Sequence, residues 1–140
     1  MDLEKLNKAL DNEENEYLIH LTTKKIEKMK REILSELDLS SKEERDYMNK
    51  LKGYRYIDEM NELKIGSYVR WISLTDPEDI HLTRGGIVCD LKIINTGMSI
   101  VIKSFSGKHY QTKMDECLLF QKMTTEEQIL LTALDHLSKE

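Results

Sequence analysis

Ile87-Val88-Cys89-Asp90-Leu91-Lys92-Ile93, then Asn95-Thr96-Gly97, then Met98-Ser99-Ile100-Val101-Ile102-Lys103: the fold class turns on this stretch. Ile87, Cys89, Leu91 and Ile93 alternate with Asp90 and Lys92 on the other side, a period of two that predicts a half-buried strand. Asn95-Thr96-Gly97 is turn chemistry, so the next apolar run returns as a second strand. Toward the N-terminus, Leu63-Lys64-Ile65-Gly66-Ser67 feeds Tyr68-Val69-Arg70-Trp71-Ile72-Ser73-Leu74, which is β-branched and aromatic. Asp76-Pro77-Glu78-Asp79 breaks that run, and a loop through His81 and Arg84 leads to Gly85-Gly86. Toward the C-terminus, Ser106-Gly107-Lys108 precedes His109-Tyr110-Gln111-Thr112-Lys113, and Cys117-Leu118-Leu119-Phe120-Gln121-Lys122 follows. Five short strands within 67–123 predict a small closed antiparallel barrel, an arrangement that removes exposed sheet edges.

The flanks change period. Between Asn15 and Asp38, Ile19, Ile26, Met29, Ile33 and Leu37 recur at helical spacing, with Leu18 and Leu34 widening the stripe. One long amphipathic helix is expected there, its other face carrying Lys24, Lys25, Lys28, Lys30 and Arg31 interleaved with Glu27, Glu32 and Glu36. Leu3, Leu6 and Leu10 suggest a shorter helix before it. Ser40-Ser41-Lys42-Glu43-Glu44 contains a capping box in either of two registers, Ser40 with Glu43 or Ser41 with Glu44, opening a helix from about Lys42 to Lys52 that Gly53 stops. Thr124 with Glu127 is a further box, and Ile129, Leu130, Ala133, Leu134 and Leu137 form the stripe of a final helix. Helices, strands, helix in that order is an α+β arrangement: a helical arm (1–53), a connector (54–66), a five-stranded antiparallel β-barrel (67–123) and a C-terminal helix (124–140).

With 140 residues, 39% hydrophobic and 34% charged, the chain has enough apolar residues for one core, and its charge content requires a largely solvated element. The net charge of −5 argues against coating of nucleic acid in bulk but leaves room for a local basic patch. No apolar run is long enough for a membrane helix, and Met1-Asp2-Leu3-Glu4 lacks a secretory start, so a soluble, intracellular protein with no membrane partner is expected. Two cysteines are too few for a disulfide framework.

Leu63 to Trp71, followed by Gly86-Ile87-Val88 opening a second strand, resembles the start of SH3-like and Tudor-like barrels. The segment from Tyr54 to Leu137, with Tyr-Val-Arg-Trp-Ile, Arg-Gly-Gly-Ile-Val-Cys and Met-Asp-Glu-Cys-Leu-Leu-Phe-Gln-Lys, is similar to uncharacterised small proteins of the large nucleocytoplasmic DNA viruses. Two alanines against thirteen isoleucines and sixteen lysines suit an AT-rich coding genome. The viral resemblance implies host cytoplasm or virion as the location and brings no chemistry with it.

The chemistry-bearing residues have plain assignments. Cys89 falls on the apolar face of its strand, where a thiol packs as a small hydrophobe, and Cys117 is expected to do the same. No G-x-S-x-G elbow, P-loop or G-x-G-x-x-G is present, so catalytic residues and cofactors are expected to be none. His81 with Cys89 and His109 with Cys117 share a spacing, but the short ligand pairs of a zinc site are missing, so no metal is expected. Paired acids such as Glu43-Glu44 and Glu126-Glu127 suit helix first turns. Tyr68, Trp71, Phe105, Tyr110 and Phe120 lie in or beside strands, where core packing is the expected role and at most two or three can be exposed together. Tyr68, Trp71, Phe105 and Tyr110 are the candidate ligand surface for a methylated lysine or proline-rich peptide. Lys24, Lys25, Lys28 and Arg31 are candidate phosphate contacts. The apolar stripe Ile19, Ile26, Met29, Ile33 and Leu37 needs another surface, since a 24-residue helix of about 36 Å outruns a small barrel. The second or last helix of the same chain is the simplest supplier, and a second copy or a protein partner makes the stripe a candidate contact. The expected function is a non-enzymatic interaction or structural protein with the arm as contact element and the barrel as scaffold. A nucleic-acid- or chromatin-associated module ranks second.

Overall fold

A computed structural model describes residues 3–12, 18 and 21–138; Ile19 and His20 lie outside the described residues, as do 13–17. The chain forms two compact units, one from residues 1–36 with 123–140 and the other from residues 37–122.

The first unit holds α1 (Leu3–Asp11), α2 (Thr23–Ser35) and the C-terminal helix α4 (Thr125–Ser138). Its core is Ala9, Leu18, Ile26, Leu130 and Leu131, with Leu6, Leu21, Met123 and Leu134 packed against it. Polar contacts fasten the same elements: Asp135 accepts from the Thr23 amide at 2.8 Å and from the Thr23 hydroxyl at 2.6 Å, and Asn12 donates to Glu126 at 3.1 Å. The Thr124–Glu127 box is formed in both directions, at 3.0 and 3.1 Å.

The long helix expected from Asn15 to Asp38 is shorter. Thr22 is extended and its side chain accepts from the Lys25 amide, so α2 begins at Thr23 and runs 13 residues. That is about 20 Å, not 36 Å. The chain turns away after Ser35, where Asp38 adopts a positive φ of 54°. Lys30, expected on the solvated face, is fully buried with its ammonium 2.7 Å from Glu27.

The second unit opens with α3 (Ser41–Lys50), whose box uses the Ser40–Glu43 register of the two offered by the sequence. It continues with β1 (Tyr54–Ile57), β2 (Tyr68–Ser73), β3 (Gly86–Ile94), β4 (Gly97–Ser104), β5 (His109–Lys113) and β6 (Cys117–Lys122). Single 3-10 turns sit at Met60–Glu62 and Met114–Glu116. The strands form one antiparallel sheet in the order β1-β6-β2-β3-β4-β5. Where the sequence predicts five strands in a closed barrel, the ladders give six in an open sheet. The additional strand, β1, falls in the stretch read as a connector and pairs with β6 from Tyr54↔Lys122 to Ile57↔Leu119.

One face of this sheet carries Val69 and Trp71 from β2, Val88 from β3, Met98, Ile100 and Ile102 from β4, and Cys117 and Leu119 from β6, closed by Ile57 and Leu63. The predicted phase of β3 is corrected here. Val88, not Ile87 or Cys89, enters the core, and a register shift between Val88 and Asp90 leaves Cys89 as the extra residue of a bulge. One inserted residue flips every side chain beyond it, so Leu91 returns to the core side while Ile87 and Cys89 are exposed. Arg55 lies on the same face, with Nη1 3.2 Å from the Glu62 carboxylate. The neighbouring Gln121 accepts from the Lys64 amide at 2.9 Å and donates to the Glu62 carbonyl at 3.0 Å.

Candidate functional site: an aromatic groove on the sheet

The chain between β2 and β3 is not a free loop. Thr83 doubles back onto β2: its amide donates to the Trp71 carbonyl at 2.9 Å, and its hydroxyl accepts from the Trp71 amide at 3.1 Å. Leu82 bridges to Ile72. Arg70 Nε donates to the Thr83 carbonyl at 2.8 Å, and the Tyr68 hydroxyl donates to the Arg84 carbonyl at 2.8 Å. Residues 81–85 are thereby clamped along the edge of β2, continuing the sheet just beyond the point where β3 leaves it after Val69↔Gly86.

Gly85 is what permits the clamp. Its φ is +90°, and a Cβ there would collide with the Val69 carbonyl and crowd Tyr68 and Arg70. Only glycine supplies both the left-handed backbone and the missing atom.

Opposite this segment, the β4–β5 turn closes through Gly107 to Ser104 at 2.9 Å and Ser104 to Lys108 at 2.8 Å, which pushes Phe105 entirely into solvent. Between the two walls runs an open groove of about 570 Å³, lined by Tyr68, Trp71, His81 to Gly85, Ser104 to Ser106 and Tyr110. The Trp71 and Tyr110 rings pack with centroids 5.8 Å apart and planes tilted by 60°. Trp71 is 7% exposed and Tyr110 44%, so the floor is firm and one wall is accessible. All four aromatic residues singled out as a ligand surface, Tyr68, Trp71, Phe105 and Tyr110, line this single groove. Tyr68 and Trp71 leave β2 on opposite faces, yet both reach it because the 81–85 segment lies across the strand's edge. Phe120 stays out of the groove, buried against Tyr56 with centroids 5.8 Å apart.

The groove also includes residues the sequence treats as an ordinary loop. His81, Leu82, Thr83 and Arg84 form one wall, and the signal for them is Gly85, whose positive φ marks a close backbone approach. Among the described residues, no carboxylate is in the groove lining. Asp79 lies 3.0 Å from Nδ1 of the lining His81.

The other candidates lie elsewhere. Ile26 is buried in the helical core, Met29 is 36% exposed, and Ile33 and Leu37 are half-buried. Lys24, Lys25, Lys28 and Arg31 are exposed, with Lys28 3.8 Å from Glu32. Cys117 is buried, and burial pushes its thiol up to about 11 against a side-chain hydrogen bond with Thr112. Cys89 is exposed on the bulge, its Sγ 3.5 Å from the Ile87 carbonyl. Among the described residues, no three His, Cys, Asp or Glu side chains cluster as a metal site, and no helix is long and apolar enough to cross a membrane. Comparison with protein-family models, with curated proteins and with solved structures returns no match.

Proposed function

We propose that this protein is a non-enzymatic interaction module whose contact element is the aromatic groove of the sheet unit, receiving an extended segment of a partner protein. The observation that carries the reading is the convergence of Tyr68, Trp71, Phe105 and Tyr110, from β2, the β4–β5 turn and β5, on one open groove. Aromatic side chains offer large contact area at low entropic cost and are favoured at recognition surfaces. A groove of about 570 Å³ falls within the range of ligand sites, roughly 300–1,000 Å³. Fully exposed Phe105 is otherwise an unrewarded apolar surface.

We read the sheet unit as SH3-like, a reading supported by the strand order: β6-β2-β3-β4-β5 with a 3-10 turn between β5 and β6 is the order such a roll would have, with β1 added beside β6. In this reading the arm is not the contact element. Ile26 is consumed by packing with Ala9, Leu18, Leu130 and Leu131, and a 13-residue α2 has little apolar surplus.

Selection of random peptides displayed on phage against the whole protein tests this, with counter-selection against a Phe105→Ala/Tyr110→Ala variant. Peptides retained by the protein and lost by the variant are the expected result. Enrichment that ignores the double substitution, or none at all, overturns the proposal. A nucleic-acid ligand is the second reading, favoured by the exposed Lys24, Lys25, Lys28 and Arg31 on α2, and its signature is affinity that falls steeply with salt.

A further inference from the structure

The charge beside the groove's two walls is basic, whereas Lys92 and Lys113 lie toward the other ends of β3 and β5, with Lys113 3.9 Å from Glu116. Arg84 is in the groove wall itself and exposed, and Lys103 and Lys108 flank the opposite wall of Ser104, Phe105 and Ser106. The carboxylates of the preceding loop do not offset them within the groove. Asp76 accepts from the Glu78 amide at 3.0 Å, Asp79 faces His81, and Glu78 is exposed outside the lining.

Aromatic faces alone attract cations, but Arg84 is one of the residues lining this groove and no carboxylate is among the described lining residues. Arg84 is also free to serve a ligand, because the bond that anchors this residue uses its backbone carbonyl and not its side chain. A guanidinium beside an apolar wall suits a carboxylate placed next to an apolar anchor.

We infer that the groove's ligand is an acidic extended peptide segment with one aromatic or aliphatic anchor, the anchor seated against Trp71, Phe105 and Tyr110 and an adjacent carboxylate on Arg84. This rests on the proposed groove function and names its partner chemistry. The peptide chain is favoured over a nucleic acid by the shape of the cation distribution. One arginine lines the groove and two lysines lie beside its opposite wall, whereas a tracked phosphate backbone needs a continuous basic stripe.

Trp71 is the chain's only tryptophan and lines the groove, so its fluorescence reports occupancy directly. The probes are four: a tryptophan-free twelve-residue peptide with a central Phe flanked by Asp and Glu, its Asn/Gln counterpart, its Lys counterpart, and a twelve-nucleotide oligothymidylate. The acidic peptide is expected to bind saturably and about tenfold or more tighter than the Asn/Gln peptide. Its affinity should weaken as salt rises. Arg84→Glu, which keeps the backbone carbonyl used by Tyr68, should erase that preference and favour the Lys peptide. Equal binding of the acidic and Asn/Gln peptides, lost in Phe105→Ala/Tyr110→Ala, overturns this inference and leaves the groove reading standing. Tighter binding of the Lys peptide or of the oligothymidylate overturns the acidic ligand. No Trp71 response to any probe overturns it as well, while the separate phage selection decides whether the groove binds peptide at all.

Discussion

Trp71 and Tyr110 face each other at 5.8 Å across the groove floor, one from the interior strand β2 and one from the edge strand β5. The pair ties β5 to β2, although no ladder joins those strands. Tilted aromatic pairs contribute about 0.5–1.5 kcal/mol beyond their buried area. Tyr110→Ala is therefore expected to lower unfolding stability by about 1 kcal/mol in a denaturant titration. It should also shift Trp71 emission to the red, because water gains the indole's open side. Unchanged emission would show that the phenol does not shield it.

Gly85 and Gly107 make a matched pair for testing the clamp. Their φ values are +90° and +87°, but a Cβ on Gly107 meets nothing within 4 Å, whereas one on Gly85 strikes the Val69 carbonyl. Gly107→Ala should cost only the backbone penalty, about 1–2 kcal/mol. Gly85→Ala should cost that and a displaced 81–85 segment, about 3 kcal/mol or more in total. Equal melting temperatures for the two variants would contradict the close approach.

The Arg55–Glu62 pair is the costly electrostatic element of the sheet unit, with side chains 3% and 18% exposed. Removing one partner of a buried pair typically costs about 3–5 kcal/mol, and Glu62 keeps some solvent. Glu62→Ala is expected to lose about 3 kcal/mol by equilibrium denaturation. The surface pair Lys28–Glu32, at 73% and 65% exposure, should tolerate Glu32→Ala within the scatter of that measurement.

The two thiols are expected to separate cleanly. Cys89 is exposed and should react with a thiol reagent at once in the native protein, whereas Cys117 should wait for unfolding. Burial raises Cys117 from its ordinary 9.0 to about 11. The unfolded chain then loses this proton at lower pH than the folded one, so stability is full below pH 9 and falls as pH climbs toward about 11. The loss by pH 11 from this group is about 2–3 kcal/mol at most. Cys117→Ala should flatten that part of the pH–stability curve, and a curve of unchanged slope would contradict the buried thiol.

The sequence by itself determined the α+β order, the helix start at Thr124–Glu127, that of α3 to within the two registers at Ser40 and Ser41, and five strands close to their observed bounds, because these depend on local period and local hydrogen bonds. The alternation that sends Val69 and Trp71 inward is equally local. Tertiary structure decided the rest. Tyr54–Ile57 becomes a strand only because β6, distant in sequence, offers it an edge. The phase of β3 depends on a bulge that exists only against β4, and it is this that brings Val88 and Leu91 inward and turns Cys89 out. Nor does any periodicity place His81 to Gly85 beside Phe105 and Tyr110. Those segments meet because Thr83 finds its partners on Trp71 and because a glycine permits the approach, and such long-range pairings leave no local mark in the chain.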